Sequence, residues 1–147
     1  MATSTFLSNA TINITQGATT YDLSDQANAC TITVGVTPLS STAFGDTGER
    51  FVAGLQSVEV SIDFYLSYGG SGSTSEVETA LAAMVGQGNT TLVISPSGTT
   101  EGAANPEYTI ANTMLANFTP INSTVGELAT LTATFTGGTW VRDITAP

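Results

Sequence analysis

The sequence of 147 residues is 41% hydrophobic, which is enough to build the core of one domain, although only 10% of its residues are charged. Twelve carboxylates stand against two arginines, and there is no histidine or lysine, so the net charge is −10. This balance excludes specific binding of DNA or RNA, which needs cations, as well as histidine-dependent triads, lysine Schiff bases and histidine-ligated metals.

The chain carries no signal for a membrane or for export. No segment approaches the ~18 consecutive apolar residues that a spanning helix needs, and its acidic character disfavours anionic membrane surfaces. The first eleven residues contain neither a basic region nor an apolar run, so we expect no secretory signal and folding in the cytoplasm. Cys30 has no second cysteine to pair with and is interpreted as a small buried hydrophobe.

The N-terminal part of the chain predicts three strands. Two short strands are expected at residues 11–14 and 19–23, on either side of the turn residue Gly17. A longer strand is expected at residues 29–36, and Pro38 should either end it or place it near a sheet edge. We therefore expect the chain to begin with β-strands.

A long segment without strand alternation follows, at about residues 39–56. It contains three glycines and the apolar side chains of Phe44, Phe51 and Val52, which are too many for a solvated linker. Loops of this length inside a domain are usually functional or disordered. We interpret this segment as a surface that contacts another protein.

Residues 57–66 then alternate between apolar and polar side chains almost without error. A period of two over ten residues indicates a strand with one buried face and one solvated face. The expected buried side chains are Val58, Val60, Ile62, Phe64 and Leu66.

One helix is predicted at about residues 75–86. Ser75 and Glu78 have the spacing of a capping box, and Gly86 supplies a left-handed end. The side chains expected to form its apolar stripe are Val77, Leu81, Met84 and Val85.

Four more strands complete the prediction, at residues 90–95, 108–118, 128–135 and 139–143. In the third of them the threonines alternate with apolar residues, and Gly137-Gly138 after it is interpreted as a hairpin turn. The pattern predicts a mainly β fold, a β-sandwich or open β-barrel with one flanking helix.

The sequence offers little chemistry for catalysis. Calcium is the one metal whose ligands are present, with Asp22/Asp25 and Asp46/Glu49 as candidate clusters, although neither has an EF-hand spacing. Solvated turn acids are the preferred interpretation, so we assign no catalytic, cofactor or metal residues and expect the chain not to be an enzyme.

The two arginines have two interpretations. Arg50 and Arg142 either form directed ion pairs, which include pairs between subunits, or lie as solvated surface side chains. Trp140 beside the second arginine is expected to pack.

Nine fragments, in order over nearly the whole chain, resemble the tail tube (major tail) proteins of long-tailed bacteriophages, especially those of actinobacterial hosts. They are residues 22–25 (DLSD), 42–46 (TAFGD), 50–51 (RF), 54–55 (GL), 58–66, 105–108 (NPEY), 117–120 (NFTP), 126–128 (GEL) and 140–143 (WVRD). Each fragment alone is weak, and the specificity lies in their combination.

The resemblance implies a homo-oligomer of stacked six-fold rings that form a hollow tube for the genome within the virion tail. It further implies contacts with tape measure, terminator and tail tip proteins, and assembly in the bacterial cytoplasm. The segment at about 39–56 would reach the neighbouring ring, and residues 1–8 and 139–147 would be further ring-binding arms. The implied contact residues of the loop are Thr42, Phe44, Asp46, Glu49, Arg50 and Phe51. Polar positions on the alternating strands could face the lumen of such a tube, where an acidic surface does not trap DNA. These positions are Glu59, Asp63, Thr130, Thr132 and Thr134.

Two alternatives remain open on the sequence. One is another virion protein, either a capsid decoration protein or a tail terminator. A carbohydrate-binding β-sandwich would also fit the strand pattern, although a single tryptophan provides little aromatic surface for a sugar cleft.

Overall fold

The structure, a computed structural model that describes residues 10–69, 76–98 and 101–145, confirms the predicted mainly β fold with one helix. The elements are β1 (Thr11–Gln16), β2 (Thr19–Asp22), β3 (Ala27–Ser40), β4 (Phe51–Tyr65), α1 (Val77–Met84), β5 (Thr90–Ser95), β6 (Glu107–Asn117), β7 (Thr130–Thr136) and β8 (Thr139–Asp143). The strands form one antiparallel sheet in the order β2-β1-β5-β6-β7-β4-β3, with β8 paired to β6. The sheet remains open because its end strands, β2 and β3, do not pair with each other.

Strand β6 belongs to both halves of the sandwich. One half contains β2, β1, β5 and β8, and the other contains β7, β4 and β3. On one side its beginning, 107–111, pairs with β8, and its end, 114–117, pairs with β7. Both partners run antiparallel to β6, so β7 and β8 follow one another in the same direction. The predicted hairpin turn at Gly137-Gly138 is therefore wrong, and these glycines instead form a kink at which the chain passes from one half to the other.

The kink requires glycine for geometric reasons. Gly137 has φ +83° and Gly138 has φ +92°, a region that L side chains rarely adopt. Opposite the kink, Asn112 of β6 also has a positive φ of 60°. Such irregularities are typical of the corners at which strands switch between packed sheets.

The core lies between the two halves of the folded sheet. The alternation predicted for β4 is confirmed, since Val58, Val60, Ile62 and Phe64 are buried. Each large apolar side chain removed from water contributes roughly 1.5–3 kcal/mol. The core side chains on the other elements include Ile12, Ile14, Leu92, Ile110, Leu131, Ala133 and Phe135.

Helix α1 is shorter than predicted and covers one end of this core. Val77, Ala80, Leu81 and Met84 are buried, whereas Val85, which the predicted stripe included, is 56% exposed. Because the helix ends at Met84, Val85 already has an extended backbone and its side chain no longer follows the helical face. The left-handed end at Gly86, with φ +82°, is confirmed.

The helix begins at a cap that lies elsewhere in the sequence. Glu76 is the N-cap residue and makes no side-chain cap hydrogen bond, while Ser75 of the predicted capping box lies outside the described residues. The N–H of Val77 instead donates to the Oγ of Ser67, at 3.0 Å. Ser67 in turn donates to the side chain of Gln26, which ties the helix start to the two ends of the β3–β4 hairpin.

The β3–β4 hairpin is longer than expected, and its connecting loop is correspondingly shorter. The expected loop at 39–56 is strand at both ends, and only residues 41–50 form the loop. Pro38 lies within β3, next to a register shift, on a strand that is at the sheet edge. In the described residues, the first part of β4 (51–57) pairs with β3 alone. We call residues 34–57 the arm.

Candidate assembly surfaces

The arm exposes apolar side chains on both of its faces. Val36 and Phe51, 46% and 56% exposed, lie on the side that faces the core farther along the strands. The register shift next to Pro38 places Leu39 and Val52 opposite each other on the other side, where both are about half exposed. A two-stranded ribbon alone is marginally stable, and an apolar ribbon without cover typically marks a protein contact.

The tip of the arm is held in shape by its own polar groups. A carboxylate oxygen of Asp46 accepts the N–H of Ala43 at 2.8 Å, and the other lies 3.5 Å from Nε of Arg50. The Thr42 hydroxyl accepts the N–H of Arg50 at 2.9 Å. Asp46 therefore stabilises the turn at the tip, and Arg50 has an ion pair within its own loop.

Other side chains of the tip remain exposed to solvent. The side chain of Phe44 is fully exposed, at 109%, and Glu49 is also exposed. The Arg50 side chain is 71% exposed and carries further N–H donors beyond the one near Asp46. The tip therefore offers an aromatic ring and a guanidinium group to another molecule.

A second exposed apolar group lies in the loop of residues 118–129, which we call the β6–β7 loop. Ile121 and Leu128 are 78% and 79% exposed, and Val125 is fully exposed. The sequence pattern did not identify this loop as a contact surface, although apolar residues placed between polar ones are a signal that could have done so. The Tyr68 hydroxyl donates to the carbonyl of Pro120 at 2.8 Å, which holds the loop against the end of β4.

The predicted lumen-facing residues lie together on the outer face of β4 and β7. Asp63 pairs with Thr132, whose hydroxyl donates to its carboxylate at 2.5 Å, and Glu59 pairs with Thr136. Thr130 and Thr134 alternate with buried residues on the same strand, so their side chains share this face. In the described part of the chain, this hydroxyl-rich face carries two carboxylates and no basic side chain.

Trp140 connects β8 to the base of the arm. Its Nε1–H donates to Oε1 of Gln56 at 2.9 Å, and its ring stacks on Tyr108 with centroids 6.3 Å apart. Arg142, two residues later, is exposed and forms no ion pair within residues 10–69, 76–98 and 101–145. Residues 139–143 of the expected C-terminal arm are thus part of the sheet, whereas residues 1–8 of the expected N-terminal arm lie outside the described residues.

Three acidic side chains lie close together where β8 ends beside the start of β6, and no sequence pattern predicts this group. Glu107 is paired directly with Asp143, and its carboxyl is hydrogen-bonded to that of Glu101. Partial burial, the hydrogen bond with Glu101 and the charges of both neighbours raise the pKa of Glu107 above its usual range. Like charges directly opposite each other destabilise a strand pair.

The remaining candidate sites hold no metal-binding arrangement. Among the described residues no group of three or more His, Cys, Asp or Glu side chains could hold a metal ion. Asp22 instead stabilises its own turn, where it accepts the N–H and the hydroxyl of Ser24 at 3.1 and 2.7 Å.

Burial raises the pKa of the Cys30 thiol to about 11. No helix in the described ranges is long and apolar enough to span a membrane.

The fold is similar to those of two proteins in anti-feeding prophage structures. The chain matches a protein in the structure of the anti-feeding prophage tube terminating cap with a TM-score of 0.62 and 10% identity, covering 99% of this chain and 95% of that one. It also matches a protein in the six-fold symmetrised anti-feeding prophage baseplate with a TM-score of 0.54 and 8% identity, covering 96% and 97%. No protein-family profile and no curated protein match the sequence. At these identities the similarity shows the fold.

Proposed function

We propose that this chain is a structural, non-enzymatic subunit of a bacteriophage tail, which assembles with copies of itself into stacked six-fold rings around a hollow tube. The observation that carries the proposal is the arm, an apolar ribbon in which residues 34–40 of β3 and 51–57 of β4 pair with each other and, in the described residues, with no further strand. Unpaired strand edges are normally protected. A ring of sister copies protects them by closing the sheet.

The charge distribution supports the same proposal. Residues 34–45 and 51–58 contain no charged side chain, so copies that each carry a net charge of −10 can meet there without strong repulsion. A low density of charge also reduces the cost of removing an interface from water. Asp46 and Glu49 lie in the arm, and the other ten acidic residues lie outside it.

The outer face of β4 and β7 fits the wall of a DNA conduit. Glu59 and Asp63 repel phosphate groups, and the threonines beside them provide a polar surface without cations. DNA would therefore pass along this face without being retained. On this proposal the tube also contacts tape measure, terminator and tail tip proteins at its ends.

A second candidate function is that of a tail terminator. The similarity to a protein of a tube terminating cap favours it, because a cap closes a tube and does not extend it. A terminator subunit forms a single ring, whereas a tube subunit forms stacks of rings.

Sedimentation velocity of the purified chain over a concentration series tests the proposal. A tube subunit gives species that grow with concentration beyond one ring, and a terminator stops at one ring. A chain that sediments as a monomer at every concentration contradicts both.

A further inference from the structure

The core is incompletely covered beneath the first part of β3. Cys30 and Ile32 lie directly opposite Ile62 and Val60 of β4, so the four side chains share the inner face of the sheet. The two β4 side chains are fully buried, whereas Cys30 and Ile32 are only half-buried. Among the described residues, no strand pairs with the other edge of β3. The sandwich is therefore open on this side.

Two adjoining cavities occupy the open side. The larger, of about 350 Å³, lies between the start of β1 and the start of β3. The smaller, of about 160 Å³, lies between β3 and strands β5 and β6, and its lining includes Ile32, Ile94 and Tyr108. Ala10 and Cys30 line both cavities, so the two form one groove that starts at the first described residue. We call it the β3 groove.

We propose that residues 1–9 of the same chain fill the β3 groove, with the phenyl ring of Phe6 in the smaller cavity. This gives the segment a place in its own subunit, whereas the resemblance implies that residues 1–8 bind another ring. The inference goes beyond the proposed function, because it concerns the free subunit and holds whether or not rings form.

The connection of the chain favours this occupant. Ala10 lies in the groove itself and directly follows the segment. Phe6 is four residues earlier, so an extended chain carries it up to roughly 13 Å from Ala10, which is enough to reach the smaller cavity. A segment tethered in this way meets its site at an effective concentration on the order of millimolar. The same segment of another copy does not reach that concentration in dilute solution.

The chemistry of the segment also fits the groove. Residues 1–9 (MATSTFLSN) contain no charged side chain, so no charge has to be removed from water when they are covered. Phe6 supplies an aromatic ring, and an apolar cavity of about 150 Å³ holds a benzene ring. The smaller cavity has about this volume and a mainly apolar lining, to which Pro96 also contributes. Its size and lining therefore suit the side chain of Phe6.

The reactivity of Cys30 tests whether the groove is covered. It is the one cysteine of the chain and lines both cavities, so a thiol reagent reaches it when the groove is open. Deletion of residues 2–9, or Phe6→Ala, should raise the rate of maleimide labelling at a fixed pH by about tenfold or more. Leu7→Ala is the matched control and should label at nearly the wild-type rate, because neighbouring side chains of an extended segment point to opposite sides.

Circular dichroism checks that each variant is folded before it is labelled, and Phe6→Ala carries the test if the deletion prevents folding. A labelling rate that Phe6→Ala leaves at the wild-type value, or that Leu7→Ala raises as much, overturns the inference.

A cross-link identifies which copy the segment occupies. Phe6→Cys protein, treated at high dilution with a short linker that joins two thiols, should become linked to its own Cys30 and still migrate as a monomer. Phe44→Cys, at the tip of the arm, is the control and should give no internal link. Linked dimers of Phe6→Cys protein would place the segment on a second copy and overturn the inference. A wild-type chain that never assembles would contradict the proposed function and leave this inference intact.

Discussion

A Cβ atom on Gly138 would lie 2.2 Å from the carbonyl oxygen of Ala111, the β6 residue that is paired with the first residue of β8. The kink between β7 and β8 therefore brings two backbones together more closely than any side chain allows. This close approach allows the continuous segment of β7 and β8 to pair with β6 in both halves of the sandwich.

Gly138→Ala should consequently destabilise the fold by at least about 2 kcal/mol, through backbone strain and the clash with Ala111. Gly137→Ala is the matched control, because it has a similar φ but nothing within 4 Å of the added Cβ, and it should cost about 1–2 kcal/mol. Urea unfolding of both variants measures the difference. Equal losses would mean that the close contact with β6 is not the cause.

Substitutions in the arm should separate assembly from folding. Phe51→Ala, or deletion of residues 44–52, should leave a folded subunit that does not elongate, because these side chains lie outside the core. Phe64→Ala is the contrasting variant, since this fully buried ring should cost about 3–5 kcal/mol. Circular dichroism and sedimentation together distinguish the two effects. Loss of the fold on changing Phe51 would show that the arm belongs to the core.

The helix cap can be located by comparing two serines. Ser67→Ala removes the acceptor of the Val77 N–H and should cost about 1 kcal/mol of unfolding free energy. Ser75→Ala tests the capping box predicted from the sequence, and we expect its cost to be smaller. Thermal unfolding of both proteins under one buffer condition is sufficient, and a larger loss for Ser75→Ala would assign the cap to that residue.

The carboxyl group of Glu107 should make stability depend on pH. Because the pKa of Glu107 is raised above its ordinary value of 4.5 in the folded state, the folded protein binds more protons than the unfolded one above that pH, so stability falls as the pH rises through this region. Glu107→Gln should therefore be more stable than the wild type at pH 7, with the difference shrinking toward pH 4.

Denaturant unfolding at several pH values measures the effect, and Glu127→Gln, in an exposed loop, serves as the control. A Glu107→Gln protein that is less stable than the wild type at pH 7 would show that the contact with Glu101 outweighs the charge repulsion.

Alternation could be read from the sequence wherever one face of a strand is buried. This holds for β4 from Val58 onward and for β7, where the alternation of apolar and polar residues predicts both the core side chains and the fold class. It failed in the arm, because apolar side chains such as Val36 and Val52 lie on both exposed faces and leave no period of two.

The other errors concern relations between distant parts of the chain. The sequence predicts a hairpin at Gly137-Gly138 because a tight turn and a strand kink both require positive φ. Only the pairing of β8 with β6 distinguishes the kink from the turn. The cap at Ser67 lies ten residues before Val77, beyond the reach of a local motif. The β6–β7 loop became a candidate surface only once the sheet placed it opposite the arm.

Cryo-electron microscopy of the purified wild-type chain, at concentrations where it sediments as large species, tests the self-assembly of this subunit most directly. We predict stacked rings of six copies, with the outer face of β4 and β7 lining the bore and each arm embedded in neighbouring copies. A protein that remains a monomer with the arm exposed, or rings in which the arm touches no other copy, would contradict the account.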